Sequence, residues 1–397
     1  VAYQVFVVRC PAYEQAGEQF EKLMKMMGGM SRFARPGEQV ALKANLLIGS
    51  HPEKAVTIHP AVVAAAGRLA KAQGAVPFII DSPASGLPHT AEALKRTYLE
   101  CGMTRAAQQE GLELCMETTY ETVSFPDGHL VRRFEIMAPI LTAGSIINLC
   151  KLKTHTYMGM SGAVKNLFGV IPGRAKVAYH ASLSDPALFA QMMLDLMLCV
   201  TPRLSIMDAV VGMEGDGPCA GTPRQAGFLL AAENPLALDI AAGEIMGLPR
   251  AANMLLVEAE KRRLAPNRLE DIEIVGVDLP ELRIKGFKLP ITMSRGGGWD
   301  RGAGMTWWQI MLVPLLVPLL KNGMTVRPQV IPGKCTACGV CRKGCPADAI
   351  EIRKNGRGSA AARIDNDACI RCYCCHEMCA RNAIRLDANP LYRWVGV

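Results

Sequence analysis

A chain of 397 residues, half of them hydrophobic and a fifth charged, has the length of two or three domains and the composition of a packed globular protein, which excludes a disordered one. The formal charge of +8 does not point to nucleic acid, because no block of Lys and Arg with interleaved aromatics accompanies it. Two oxidised 4Fe-4S clusters, each bringing about −2 with its four thiolates, would bring it to roughly +4.

The first ten residues, VAYQVFVVRC, read as a strand rather than as an export signal. Apolar, β-rich runs at 3–8, 39–44, 76–80, 145–150, 204–211, 226–232 and 272–277 alternate with helical patterns. Pro60 sits just inside the start of PAVVAAAGRLAKAQG with Gly74 past its end, Asp185-Pro186 opens a second helix, and Asn234-Pro235 a third. His59 reads as a helix N-cap, and His51 and His89 as solvated. Alternation of this kind predicts an α/β fold, with a largely parallel mixed sheet flanked by helices on both faces. One antiparallel hairpin is expected where 123–125 and 129–134 flank Pro126-Asp127-Gly128.

The expected division is an α/β domain over 1–285, a linker over 286–328, and a bacterial-type two-cluster ferredoxin domain of α+β class over 329–397. Within the linker, the apolar run 310–320 is too short to span a bilayer and carries two prolines. With Trp307 and Trp308 it reads either as packing between domains or as a contact with a partner protein or membrane surface over 307–320. Nothing here reads as crossing a membrane, and the expected location is cytoplasmic.

Fifteen cysteines divide unevenly. Cys10, Cys101, Cys115, Cys150, Cys199 and Cys219 are scattered singly, which suits buried thiols in a reducing compartment. The other nine lie between 335 and 379. Cys335, Cys338, Cys341 and Cys345 form C-x2-C-x2-C-x3-C followed by Pro346, and Cys369, Cys372, Cys375 and Cys379 repeat the spacing with Ala380 in place of that proline. In such pairs three thiolates of one loop bind one 4Fe-4S cluster and the fourth binds the other. Cluster one therefore takes Cys335, Cys338, Cys341 and Cys379, and cluster two Cys369, Cys372, Cys375 and Cys345. Cys374 falls outside both spacings; it is either a small hydrophobe beside a cluster or a redox-active or alternative-ligand thiol.

In the α/β part, polar residues follow the apolar runs: Lys43 and Asn45, then Asp81, then Lys151, Lys153 and His155, then Asp208 and Glu214. Ligands of open parallel sheets bind beyond the carboxyl ends of strands, so these predict one shared cleft. The stretch 151–180 places Lys151, Lys153, His155, Lys165, Lys176 and His180 among glycines with no acidic residue, which suits an anionic or electron-rich ligand. The alternative is a surface loop whose lysines pair with distant carboxylates. No G-x-G-x-x-G after a strand and no G-x-x-x-x-G-K-[ST] is present, so neither a flavin nor a nicotinamide site is supported.

LKANLL (42–47), TIHP (57–60), DSPASG (81–86), INLCKLKTH (147–155), GAVKNLFGVIPG (162–173), AYH (178–180), MDAVVGMEGDGP (207–218), ENPLALD (233–239) and the CIRCYCC run together resemble the iron-sulfur proteins of domain of unknown function family 362, over the whole chain. Cys150 departs from the proline expected before KLKTH, which puts a further thiol beside the lysine loop. The resemblance implies a cleft holding Lys43, Asn45, Asp81, Lys153, His155, Lys165, Asn166, Asp208, Glu214 and Asp239, and favours a tuning or packing role for Cys374.

The leading expectation is an iron-sulfur oxidoreductase. It exchanges single electrons with a soluble low-potential donor or acceptor and acts on a small anionic substrate. Lys153, His155, Lys165, Asn166 and His180 form the reacting set, and Lys43, Asn45, Asp81, Lys151, Lys176, Asp208, Glu214 and Asp239 the binding set. A non-enzymatic electron carrier or adaptor, or a metal-centre assembly factor using Cys150 and Cys374, are the alternatives.

Overall fold

The computed structural model describes residues 2–82, 84, 89–293, 326–354 and 360–388; the apolar run 307–320 and most of the expected linker lie outside the described residues. In chain order the strands are β1 (Tyr3–Arg9), β2 (Gln39–Lys43), β3 (Val76–Ile80), β4 (Glu113–Leu114), β5 (Tyr120–Ser124), β6 (Arg133–Met137), β7 (Ser145–His155), β8 (Gly159–Met160), β9 (Leu204–Glu214), β10 (Thr222–Ala232) and β11 (Ile272–Val275), then β12 (Val326–Val330), β13 (Ile350–Lys354), β14 (Ala360–Ile364) and β15 (Ile384–Ala388).

The described strands build a nine-stranded sheet in the order β11-β1-β10-β9-β7-β2-β3-β4, with β8 paired to β7. β9, β7, β2, β3 and β4 run parallel, while β10 is antiparallel to both β9 and β1. The mixed, largely parallel sheet is therefore the one expected from the alternation. Every residue of β7 is buried, as a strand covered on both faces must be. Side chains alternate across the sheet with the two-residue period of a strand. Leu42 and Ile79 pack with the helices Ala16–Met26 and Pro60–Ala72, whereas Ala41, Phe78 and Ile80 pack with the helix Pro186–Val200.

The capping signals act as read. His59 Nδ1 accepts from Ala61 N at 3.2 Å, Asp185 from Ala187 N at 2.7 Å, and Asn234 from Leu236 N at 2.8 Å. The hairpin forms with different bounds. Its strands are β5 and β6, paired from Tyr120–Met137 to Ser124–Arg133, and residues 129–131 are not in a strand. Their three backbone N–H groups instead donate to the buried carboxylate of Asp195, at 2.8 to 3.0 Å, which Arg262 also pairs at 2.8 Å.

In the C-terminal region β12 pairs with β15 and β13 with β14. Both cysteine runs carry the same backbone signature. Left-handed conformations occur at Ala337, Gly339 and Asp348 in the first and at the equivalent Arg371, Tyr373 and Asn382 in the second. Each run turns around its cysteines in the same way, so the repeat in spacing is a repeat in shape.

Candidate functional site

The floor of the site is a buried ion pair at the carboxyl ends of β2 and β3. Lys43 Nζ lies 2.8 Å from Asp81 Oδ1 and donates to Ala44 O at 2.7 Å, while Asp81 also accepts from Leu46 N and Ser82 N. Removing either member of such a pair typically costs about 3–5 kcal/mol, because the other charge is left buried alone. Gly169 passes directly over it: a Cβ there would fall 2.1 Å from Asp81 Oδ1 and 2.4 Å from Lys43 Nζ. Only glycine permits that approach.

Three asparagines run in series above this floor. Asn148 donates to Ala163 O at 3.0 Å, Asn166 donates to Asn148 Oδ1 at 2.8 Å, and Asn45 donates to Asn166 Oδ1 at 2.8 Å. Asn166 belongs to the short helix Ala163–Asn166, whose N-terminus is held by Asp239 accepting from Ala163 N and, at 3.0 Å, from Val164 N. Burial pushes the Asp239 carboxyl up to about 7, with those backbone donors opposing.

The second half of β7 supplies the next wall. Lys153 Nζ donates to Val56 O at 2.7 Å. His155 Nδ1 accepts from Tyr157 N at 3.1 Å and Met158 N at 3.3 Å, which assigns the ring proton to Nε2; that atom lies 3.4 Å from Glu377 Oε1. Lys165 Nζ sits 4.7 Å above the Phe168 ring and 5.4 Å from that of Phe189, against which His180 stacks. Lys176 donates to Ser82 O and Oγ. These groups line one cavity of about 60 Å³ together with Asn45, Asn166, Asp81, Cys374, Glu377 and Met378.

Burial, aided by neighbouring cations, changes the protonation expected here. His155 is held well below its usual value and His180 is lowered to about 3, so both rings are neutral at pH 7. A histidine poised near neutrality to supply protons is therefore not what this site provides. Burial lowers Lys153 to about 8 and Lys176 to about 7, and lowers Lys165 as well, with Glu377 opposing. Lys153 and Lys176 become the groups that hold exchangeable protons near pH 7.

All five residues of the expected reacting set line the cavity, as do Asn45, Asp81 and Lys176 of the binding set. Lys43 lies beneath it and Asp239 behind it. Lys151 and Asp208 do not reach it: they form their own buried pair at 2.7 Å, closed by Tyr13 OH, which donates to Asp208 and accepts from Lys151 at 2.8 Å. A register irregularity in the β7–β9 pairing separates Lys151 from Lys153. Glu214 faces away too, accepting from Lys288 N at 3.1 Å. Cys150 does not line the cavity; it is buried with Met160, Ala163, Met207 and the helix Pro235–Met246.

The wall that the sequence did not announce comes from the second cysteine run. Cys372, Cys374 and Met378 pack against Ile48, Val56, Met213 and Cys219, and His376 bridges Ile384 O at 2.7 Å and Asp216 O at 3.2 Å. Cys374, the odd sulfur, is buried and turned toward the cavity wall, with Glu377 beside it. Only its place outside the ligand spacing marked it beforehand, and nothing in the sequence marked Glu377.

The donor set suits iron-sulfur clusters. Beyond burial and backbone hydrogen bonds, the electrostatic neighbours of Cys341 are Cys338, Cys379 and Cys335, and those of Cys345 are Cys372 and Cys369. Backbone N–H groups of Ala349, Ala362 and Ala383 donate to the sulfurs of Cys345, Cys335 and Cys379 at 3.2 to 3.4 Å, the contacts that stabilise bound thiolates.

Residues 40–244 match the family described as Domain of unknown function (DUF362), and residues 328–351 match a 4Fe-4S binding domain. The thylakoid-associated protein sll1697 of Synechocystis sp. is 34% identical over 289 residues, 72% of this chain and 87% of that protein. The lactate racemase apoprotein of Thermoanaerobacterium thermosaccharolyticum aligns at 12% identity and a TM-score of 0.40, over 60% of this chain and 55% of that one. This chain thus spans about half the length of that enzyme.

Proposed function

The chain belongs to the DUF362 family and carries a 4Fe-4S binding domain, and from that premise we propose an iron-sulfur oxidoreductase that acts on a small anion in the lysine-lined cavity. The observation that carries this reading is the shared wall: Cys374 and Glu377, within the second cysteine run, line the same cavity as Lys153, His155 and Lys165. A substrate there is in reach of an electron source and of cations at once.

Two clusters are proposed, one per set of four thiols. Bound, each would exchange single electrons at low potential with a soluble partner. The chain's own residues do the rest. Lys165 attracts the anion, His155 offers its Nε2–H to a developing oxyanion without becoming charged, and Lys153 and Lys176 hold protons that balance negative charge gained by the substrate. Neutral His155 acts as a hydrogen-bond donor rather than an acid. Cys374 is read as a packing residue of this wall, given its apolar neighbours Val56 and Met213.

An adaptor docking through a flat basic loop is less well supported, because Lys153 and Lys176 turn inward and are buried. The compartment proposed is a reducing, cytoplasmic one, in keeping with fifteen cysteines in no disulfide. Among the described residues no helix is long and apolar enough to cross a membrane.

Protein purified without oxygen should contain iron and sulfide and a visible absorption bleached by reductant. Lys165→Met should abolish anion binding and turnover with iron content unchanged. Loss of iron in that variant would make the lysine structural and sink the assignment.

A further inference from the structure

The asparagine series has a direction. Asn148 must turn its nitrogen toward Ala163 O and Ser205 Oγ, so its oxygen faces Asn166. Asn166 must then present its nitrogen to Asn148 Oδ1 and Leu149 O, and its oxygen to Asn45. The amide nitrogen of Asn45 is thereby committed, and its Oδ1 is left buried with no hydrogen-bond partner among the described residues. Flipping any member would set oxygen against oxygen further down the series. The cavity thus presents an obligate acceptor that nothing among the described residues satisfies, and a buried acceptor without a donor is costly.

The cations are arranged in the opposite sense. Lys43 is committed to Asp81, Lys153 to Val56 O and Lys176 to Ser82. Lys165 alone among these has no hydrogen bond or ion pair among the described residues; its ammonium rests on the rings of Phe168 and Phe189, with the Glu377 carboxylate acting on it at longer range. Two further atoms of the lining, His180 Nδ1 and Glu377 Oε1, are also buried without a hydrogen-bond partner among the described residues. Taken together, the cavity asks for one negative charge and at least one hydrogen-bond donor in a small molecule.

Resting on the anion reading above, we propose that the cavity selects a short carboxylate bearing a hydroxyl beside its charge, the carboxylate on Lys165 and the hydroxyl donating to Asn45 Oδ1. A volume of about 60 Å³ admits a few water-sized groups, which suits two to four carbons and not a nucleotide. A simple carboxylate would leave Asn45 Oδ1 unpaired. An amino acid would set a further positive charge among Lys153, Lys165 and Lys176, three cations against the one carboxylate of Glu377, Asp81 being committed to Lys43, so a neutral hydroxyl is the better donor.

The test is calorimetric titration of the full chain, purified without oxygen with its iron retained, against glycolate, acetate and glycine. Glycolate should bind at least about ten-fold tighter than acetate, as expected when a buried acceptor gains its partner, and tighter than glycine. Asn45→Leu should bring glycolate down to the affinity of acetate while leaving acetate unchanged, with Asn45→Ser as the milder variant should the first fail to fold. Equal binding of glycolate and acetate by the unsubstituted protein overturns the hydroxyl inference and leaves the anion reading standing. Binding of none of the three overturns both.

Discussion

At the scale of single residues, the chemistry turns on which groups burial leaves charged. Lys176 and Lys153, lowered to about 7 and about 8, are cationic below those values and neutral above them. Anion affinity should therefore fall as pH rises from 6.5 to 9, by up to about ten-fold per unit for each charge that the ligand requires. Stability runs the other way. An amine whose folded value is depressed contributes stability that is present above its unfolded value of 10.5 and is lost as pH falls from there through the folded one, about 8 for Lys153 and about 7 for Lys176. The rise in melting temperature on adding glycolate should thus be larger at pH 6.5 than at pH 9; an equal shift at both would mean that neither lysine faces the ligand. The acidic-free stretch 151–180 was enough to gather Lys153, His155, Lys165, Lys176 and His180 into one site. Their protonation was not legible there, because it depends on burial by Phe168, Phe189 and the distant Glu377. Nor could spacing tell Lys151 from Lys153, since the partner that takes Lys151 away is Tyr13, far off in sequence.

At the scale of elements, short pieces are held in place by single buried carboxylates. Asp239 fixes the four-residue helix that carries Lys165 and Asn166, and Asp195 gathers the loop between β5 and β6. Asp195→Ala should cost about 3–5 kcal/mol in a urea melt, since it leaves Arg262 and three backbone donors unpaired, yet leave glycolate affinity unchanged because the site is elsewhere. Strands and capped helices were readable from periodicity and from Pro60, Asp185 and Asn234. The hairpin bounds were not, because Pro126-Asp127-Gly128 reports a turn and says nothing of a carboxylate arriving from the helix Pro186–Val200. The docked helix Cys374–Glu377 is the second such case. Met213→Ala at its seat should cost about 2–4 kcal/mol and speed hydrogen exchange in residues 372–379 before the central sheet is affected. Unchanged exchange there would mean that the contact is not what holds the segment.

At the scale of the whole molecule, the two thiol sets differ in setting. Cys338 of the first is exposed, whereas Cys372 and Cys375 of the second are buried, Cys372 against Ile48, Val56 and Met213 of the α/β part and Cys375 among Ile350, Ala362 and Ile384. With both sets filled, iron analysis should give about eight atoms per chain. Cys335→Ser and Cys379→Ser should disturb one paramagnetic signal of the reduced protein and Cys345→Ser and Cys369→Ser the other; a shared signal for Cys335 and Cys345 would refute the exchange of fourth ligands. The cavity itself joins wall residues nearly the length of the chain apart, from Asn45 to Met378. That has a consequence for how the protein ages in air. Oxidation of the second thiol set should slacken the loop that carries Cys374 and Glu377, and so dismantle that side of the cavity. Under the proposed function, a damaged molecule would then lose anion binding and electron exchange together rather than one without the other.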